Sequence, residues 1–243
     1  MMRPMKQAIP LRDRMEMLIP PLPWDRPKQL VGTGPPVLLL HGLWRGWHAM
    51  EPMARALRQA GFSTLNLPYP STRRSIPELI DHIARILEPL TKDQPIHAVT
   101  HSLGGILAHA AIAESKWNID RLVMLAPPSK GSEIVDYLAT QHPLILRCLG
   151  PAGGALGTQG LPSQLPDLPS HVTAATIMGN LDSIGCFNRL FQDEHDGIVS
   201  VAGGQLKNLR GFKVVAADHT FIAAHPQTQQ LTVEFLQTGD WND

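Results

Sequence analysis

The sequence predicts an α/β fold, a mostly parallel central sheet with helices packed on both of its faces. Two observations predict it. Apolar runs alternate with segments of helical spacing from residue 37 to residue 125, and repeated crossovers of that kind build a parallel sheet. The first run is also continuously apolar, as befits a strand buried on both faces.

Val37 to Leu40, bounded by Pro36 and Gly42, reads as the first strand. Met50, Met53, Ala54 and Leu57 follow at helical spacing, and Gly61 stands where that helix stops. Phe62 to Leu67 is the second strand. Ser75 with Glu78 three residues on forms a capping-box pattern, with Pro77 in the first turn. Ile76, Leu79, Ile80, Ile83, Leu87 and Leu90 make the buried stripe of that helix. Ile96 to Thr100 is a short strand, Leu103 to Ser115 a helix, and Leu122 to Leu125 a strand again.

Residues 127–170 interrupt the alternation. They hold one predicted helix, Ser132 to Leu138, and then a Gly/Pro-rich stretch from Gly150 to Pro169 read as irregular. Loops of that length usually act as lids or binding loops, so 127–170 is expected to be an inserted cap. The pattern resumes with strands at Val172–Met178 and Lys213–Ala216 and a closing helix from about Pro226 to Leu236. Residues 1–34 read as an irregular arm carrying five of the nine methionines, at positions 1, 2, 5, 15 and 17, expected to pack on the body. The expected organisation is thus an arm over 1–34 and a single domain over 35–243.

Composition narrows the function. Lys plus Arg and Asp plus Glu are both 21, so the formal charge is zero. Without a basic excess, no nucleic-acid partner is expected. No apolar run approaches the roughly 18 residues of a membrane span, so integral membrane association is not expected either. Cys148 and Cys186 are the only cysteines and no Cys-x-x-Cys occurs, which argues against thiolate metal sites. Met17-Leu18-Ile19 is cut by Pro20 and Pro21, too short for a secretory leader, and a cytoplasmic location is the expectation.

Ligands of open parallel sheets bind beyond the carboxyl ends of the strands. His41-Gly42-Leu43-Trp44 follows the first strand there, and His101-Ser102-Leu103-Gly104-Gly105 the third. A strand that runs through Ser-x-Gly directly into a helix is a nucleophile elbow. It lifts the hydroxyl above the sheet and beside a helix N-terminus, whose N–H groups favour developing negative charge. Ser102 is therefore the candidate nucleophile, although a helix cap would also employ a serine there. Thr100 occupies the place where a glycine is usual, which tightens the elbow.

At this point the sequence resembles the α/β-hydrolase superfamily, and more narrowly its bacterial lipase/esterase branch, which shares features with the lipase class 2 and GPI inositol-deacylase-like groups. The segments that carry the resemblance are HGLWRGW (41–47), LPYPS (67–71), THSLGG (100–105), LAPPSKGSE (125–133), DGIVS (196–200) and DHTF (218–221). The resemblance implies an α/β-hydrolase fold and a Ser-His-acid triad. It points to His219 as the base, with His225 as the competitor. Chain order confines the acid to residues between Ser102 and His219. Asp196, followed by Gly197, matches the family's acid loop, and Asp182 and Asp193 are alternatives. The oxyanion donors would be the backbone N–H of Leu103, which follows the nucleophile, and that of Leu43, to which the resemblance points. His41 would brace its own loop, and Trp44 and Trp47 either line an acyl pocket or pack on the following helix.

The expected activity is cleavage of carboxylic esters, small-molecule or lipid, with no cofactor. Thioesterases and acyltransferases employ the same machinery, and the fold also has ligand-binding members without catalysis.

Overall fold

The computed structural model describes residues 8–22, 25, 30–92, 94–183 and 185–241. Six strands, β1 (Pro36–Leu40), β2 (Ser63–Leu67), β3 (Ile96–His101), β4 (Ile119–Leu125), β5 (Thr173–Gly179) and β6 (Gly211–Val215), form one sheet. Every pair is parallel, and the order is β2-β1-β3-β4-β5-β6. The α-helices of the described residues are α1 (Leu11–Met17), α2 (Glu51–Gln59), α3 (Ile76–Thr91), α4 (Leu103–Ala113), α5 (Glu133–Gln141), α6 (Pro143–Cys148), α7 (Gly150–Gly154) and α8 (Pro226–Thr238).

The continuous apolar run of β1 has the cause the sequence suggests. Leu38 and Leu40 enter a core shared with α3 and α4, while Val37 and Leu39 enter a second core shared with α2 and α8. All four are fully buried, each contributing about 1.5–3 kcal/mol. The capping box at α3 is present, with the Ser75 N–H donating to Glu78 Oε2 at 2.8 Å. β1 lies between β2 and β3, so the chain leaves it in one direction and returns on its other side. That reversal opens a crevice at the carboxyl ends of β1 and β3, where His41 and Ser102 stand.

Two expectations are corrected. The arm is not wholly irregular, because residues 11–17 form α1. Met17 is buried beside Met50 and Met53, and Arg55 of α2 pairs with Asp13 (2.7 Å) and Glu16 (2.8 Å). The helix is held by these tertiary contacts, while Leu11 and Met15 are exposed, so it shows no apolar stripe to read. Met1, Met2 and Met5 lie outside the described residues.

The stretch from Gly150 to Pro169 is also more ordered than its prolines suggest. Pro143, Pro151 and Pro162 stand in the first turns of α6, α7 and a short 3-10 turn (Leu161–Gln164). A first-turn proline loses no intrahelical hydrogen bond. Ala152, Leu156 and Leu168 join the core around α4, and His109 of α4 donates through Nε2–H to the Pro166 carbonyl at 2.8 Å. This second cover explains why α4 is buried from Leu103 to Ile112.

Candidate active site

The site is assembled from loops at the carboxyl ends of the strands. Ser102 sits between β3 and α4 with φ 52° and ψ −120°, a conformation that costs free energy in a non-glycine residue. Close packing holds it there. A Cβ on Gly104 would lie 2.8 Å from the Leu40 carbonyl oxygen, and one on Gly42 would lie 3.1 Å from Ser102 Cβ. Both glycines are required by close approach, and together they seat the elbow against β1. Thr100 is accommodated, fully buried, beside Gly105.

Three sequence-predicted side chains meet at this elbow. The Ser102 hydroxyl lies 3.0 Å from His219 Nε2. His219 Nδ1 lies 2.7 Å from Asp196 Oδ2. The carboxylate can only accept, so Nδ1 carries the proton and Nε2 faces the hydroxyl as an acceptor. Asp196 is fully buried, and its other oxygen accepts from the N–H groups of Ile198 (3.0 Å) and Val199 (2.8 Å). Gly197, with φ 96°, makes the turn that directs these amides back at the carboxylate. The base loop is tied to the acid loop by its backbone, since His219 N–H donates to the Asp196 carbonyl at 3.0 Å.

The alternatives go elsewhere. Asp182 Oδ1 accepts from Gly185 N–H, Asp193 is exposed, and Asp218 holds the N–H of Phe221 and the hydroxyl of Ser183. His225 is the N-cap of α8. Trp47 donates through its indole N–H to Asp25 at 3.1 Å, a packing role, whereas Trp44 lines the cavity described below and is exposed. Leu103 opens α4, so its N–H has no intrahelical partner. Leu43 faces the same cavity.

Two buried histidines brace the loops. His41 Nδ1–H donates to the Gly42 carbonyl (2.8 Å), and Nε2 accepts from Tyr69 N–H (3.3 Å). The Tyr69 ring stacks on the imidazole at 4.1 Å, and its hydroxyl donates to the His41 carbonyl. Tyr69 was not foreseen in this role. Burial lowers the His41 pKa to about 4. His101 donates through Nε2–H to the His219 carbonyl (2.9 Å). Burial first, then the neighbouring His219 and Arg45, hold its pKa well below the ordinary value.

These two groups fix a pH dependence. The folded chain keeps His41 neutral down to about pH 4, whereas the unfolded chain takes up a proton near pH 6.5. The stability contributed by these two residues is therefore fully present above pH 6.5 and is lost as pH drops towards 4. His41 alone accounts for about 2 kcal/mol between pH 7.5 and pH 5. Urea midpoints at the two pH values check this, and His41→Asn should shrink the difference, leaving the share due to His101. A chain equally stable at both would contradict it.

A cavity of about 480 Å³ opens onto Ser102 and His219. Its apolar lining comes largely from the segment after β4, including Ile134, Val135, Leu138, Leu149 and Leu156, and is completed by residues such as Phe187 and Ile198. Phe187, Ile198, Arg45 and Thr220, to which the sequence assigns no role, are among the residues that also reach this space.

Residues 37–232 match the model of the alpha/beta hydrolase family. The chain is an α/β-hydrolase. A search of curated protein sequences returns no match. Among solved structures, the α/β-hydrolase is similar to the mature lipase of Bacillus licheniformis, at 20% identity and TM-score 0.70, over 89% of this chain and 96% of that one. It is similar to a monoacylglycerol lipase of Paleococcus ferrophilus at 16% identity and TM-score 0.58, over 89% and 100% of the two chains. A phospholipase of Legionella pneumophila aligns at 15% identity and TM-score 0.66, over 86% of this chain and 60% of that one. At these identities the likeness is one of fold. Among the described residues, no helix is long and apolar enough to cross a membrane.

Proposed function

We propose that the chain hydrolyses carboxylic esters, as an esterase or lipase, through an acyl-enzyme on Ser102. The observation that carries this is the line from Ser102 through His219 to Asp196 at the edge of an apolar cavity. Serine is a weak nucleophile until a base takes its proton. Here Ser102 Oγ attacks the ester carbonyl and its proton passes to His219 Nε2. Asp196 holds the Nδ1–H tautomer and stabilises the imidazolium. The N–H groups of Leu43 and Leu103 receive the oxyanion. His219 then returns the proton to the leaving alcohol, and the C–O bond breaks to leave an acyl group on Ser102. Water, deprotonated by His219, attacks that acyl group, and the acid departs with Ser102 restored. No cofactor enters the cycle.

Residues 127–170 act in this reading as a cap whose apolar wall receives the acyl chain, and the enzyme works in the cytoplasm on small-molecule or lipid esters. A panel of p-nitrophenyl esters from acetate to palmitate, with one emulsified triglyceride, tests it. Turnover should rise with chain length until the cavity is filled, and Leu138→Phe should move the optimum to shorter chains. No turnover on any ester would remove the reading.

A further inference from the structure

One charged side chain, Arg45, reaches the cavity without an ion pair among the described residues. Trp44 lies in the left-handed region with φ 61°, and the Arg45 N–H bends back to the Gly42 carbonyl at 3.4 Å. This turn leaves Trp44 exposed and brings Arg45, half-buried, to the cavity with Ser102 and His219. The guanidinium donates through Nη2 to Thr220 Oγ1 at a long 3.3 Å. Among the described residues no carboxylate lies within ion-pair distance of it. Asp218 attracts it from farther away, and both oxygens of Asp218 are already engaged.

A partly desolvated guanidinium with one weak neutral partner keeps most of its five donors for something else. Burial disfavours its charge, so an incoming oxyanion would relieve that cost and gain paired, charge-assisted hydrogen bonds. Its place also indicates which half of a substrate it meets. Thr220 follows His219, the group that protonates the leaving alcohol in the proposed reaction, whereas the long apolar wall comes from the segment after β4.

We propose that Arg45 recognises an oxyanion, phosphate or carboxylate, on the alcohol half of the ester, making this a hydrolase selective for esters of anionic alcohols. The proposal rests on the ester-hydrolase reading. Its test compares 1-octanoylglycerol with 1-octanoylglycerol 3-phosphate, below micelle formation, in the wild type and in Arg45→Gln. The wild type should favour the phosphate ester, and the ratio of kcat/KM values should fall at least about tenfold in Arg45→Gln, mainly through KM. Equal losses on both esters would make Arg45 a strut for Thr220 and overturn the proposal.

Calorimetric binding of glycerol 3-phosphate and of glycerate separates the two readings and the two anions. Binding of either, lost in Arg45→Gln, supports the anion site even if no ester is cleaved, and in that case the hydrolase reading falls alone. Ester cleavage without anion binding or preference overturns the anion site and leaves the hydrolase reading standing.

Discussion

Asp196→Asn is expected to lower turnover by on the order of three or more decades while the fold persists, because the three side chains work as a unit. The environment of Asp196 dictates how the amide must sit. Oδ1 faces two backbone donors, Ile198 and Val199, so the amide oxygen has to stay there. The amide nitrogen then takes the place of Oδ2, 2.7 Å from His219 Nδ1. That position demands an acceptor, so His219 would shift its proton to Nε2 and could no longer take one from Ser102. Asp182→Asn and Asp193→Asn should cost less than about tenfold, since neither carboxylate engages His219. Turnover of p-nitrophenyl butyrate, with circular dichroism as the folding control, checks the series. A larger loss at Asp182 or Asp193 would remove Asp196 from the site.

The sheet was legible because its strands obey local rules. Val37 to Leu40 is bounded by Pro36 and Gly42 and buried on both faces, so an unbroken apolar run is what the fold demands of it. Gly104 was equally visible as part of the Ser-x-Gly elbow, whereas the close approach of Gly42 to Ser102 emerges only in the fold. What the sequence hides is whatever depends on distant partners. Helix α1 carries no apolar stripe, and its stability comes from Met17 in the core and from Arg55, some forty residues away. Of the helices between β4 and β5, α5 was legible, whereas α6 and α7 are disguised by the prolines that open them.

The site divides in the same way. Ser102 announces itself by its neighbours in sequence. The candidates for base and acid could be ordered but not joined, because 23 residues separate His219 from Asp196 and 117 separate it from Ser102. Tyr69 and Arg45 both stand in segments whose pattern is recognisable, LPYPS and HGLWRGW, yet nothing local assigns them a task. Tyr69 acts by stacking on His41. Arg45 is turned inward by the strained backbone of Trp44, a feature that no residue type requires.

The central claim is that Ser102 is a nucleophile activated by His219, and covalent labelling tests it most directly. A fluorophosphonate reacts with a serine only where a base removes its proton and donors receive the phosphoryl oxygen. The Ser102 hydroxyl meets the first condition geometrically at 3.0 Å from His219 Nε2, and the Leu43 and Leu103 N–H groups are the proposed donors. Intact-mass and peptide mass spectrometry after incubation with the probe should show one adduct, on Ser102. It should be absent in Ser102→Ala and strongly slowed in His219→Ala. An adduct that persists in folded Ser102→Ala on another serine, or a folded wild type that takes up no probe, would contradict the account.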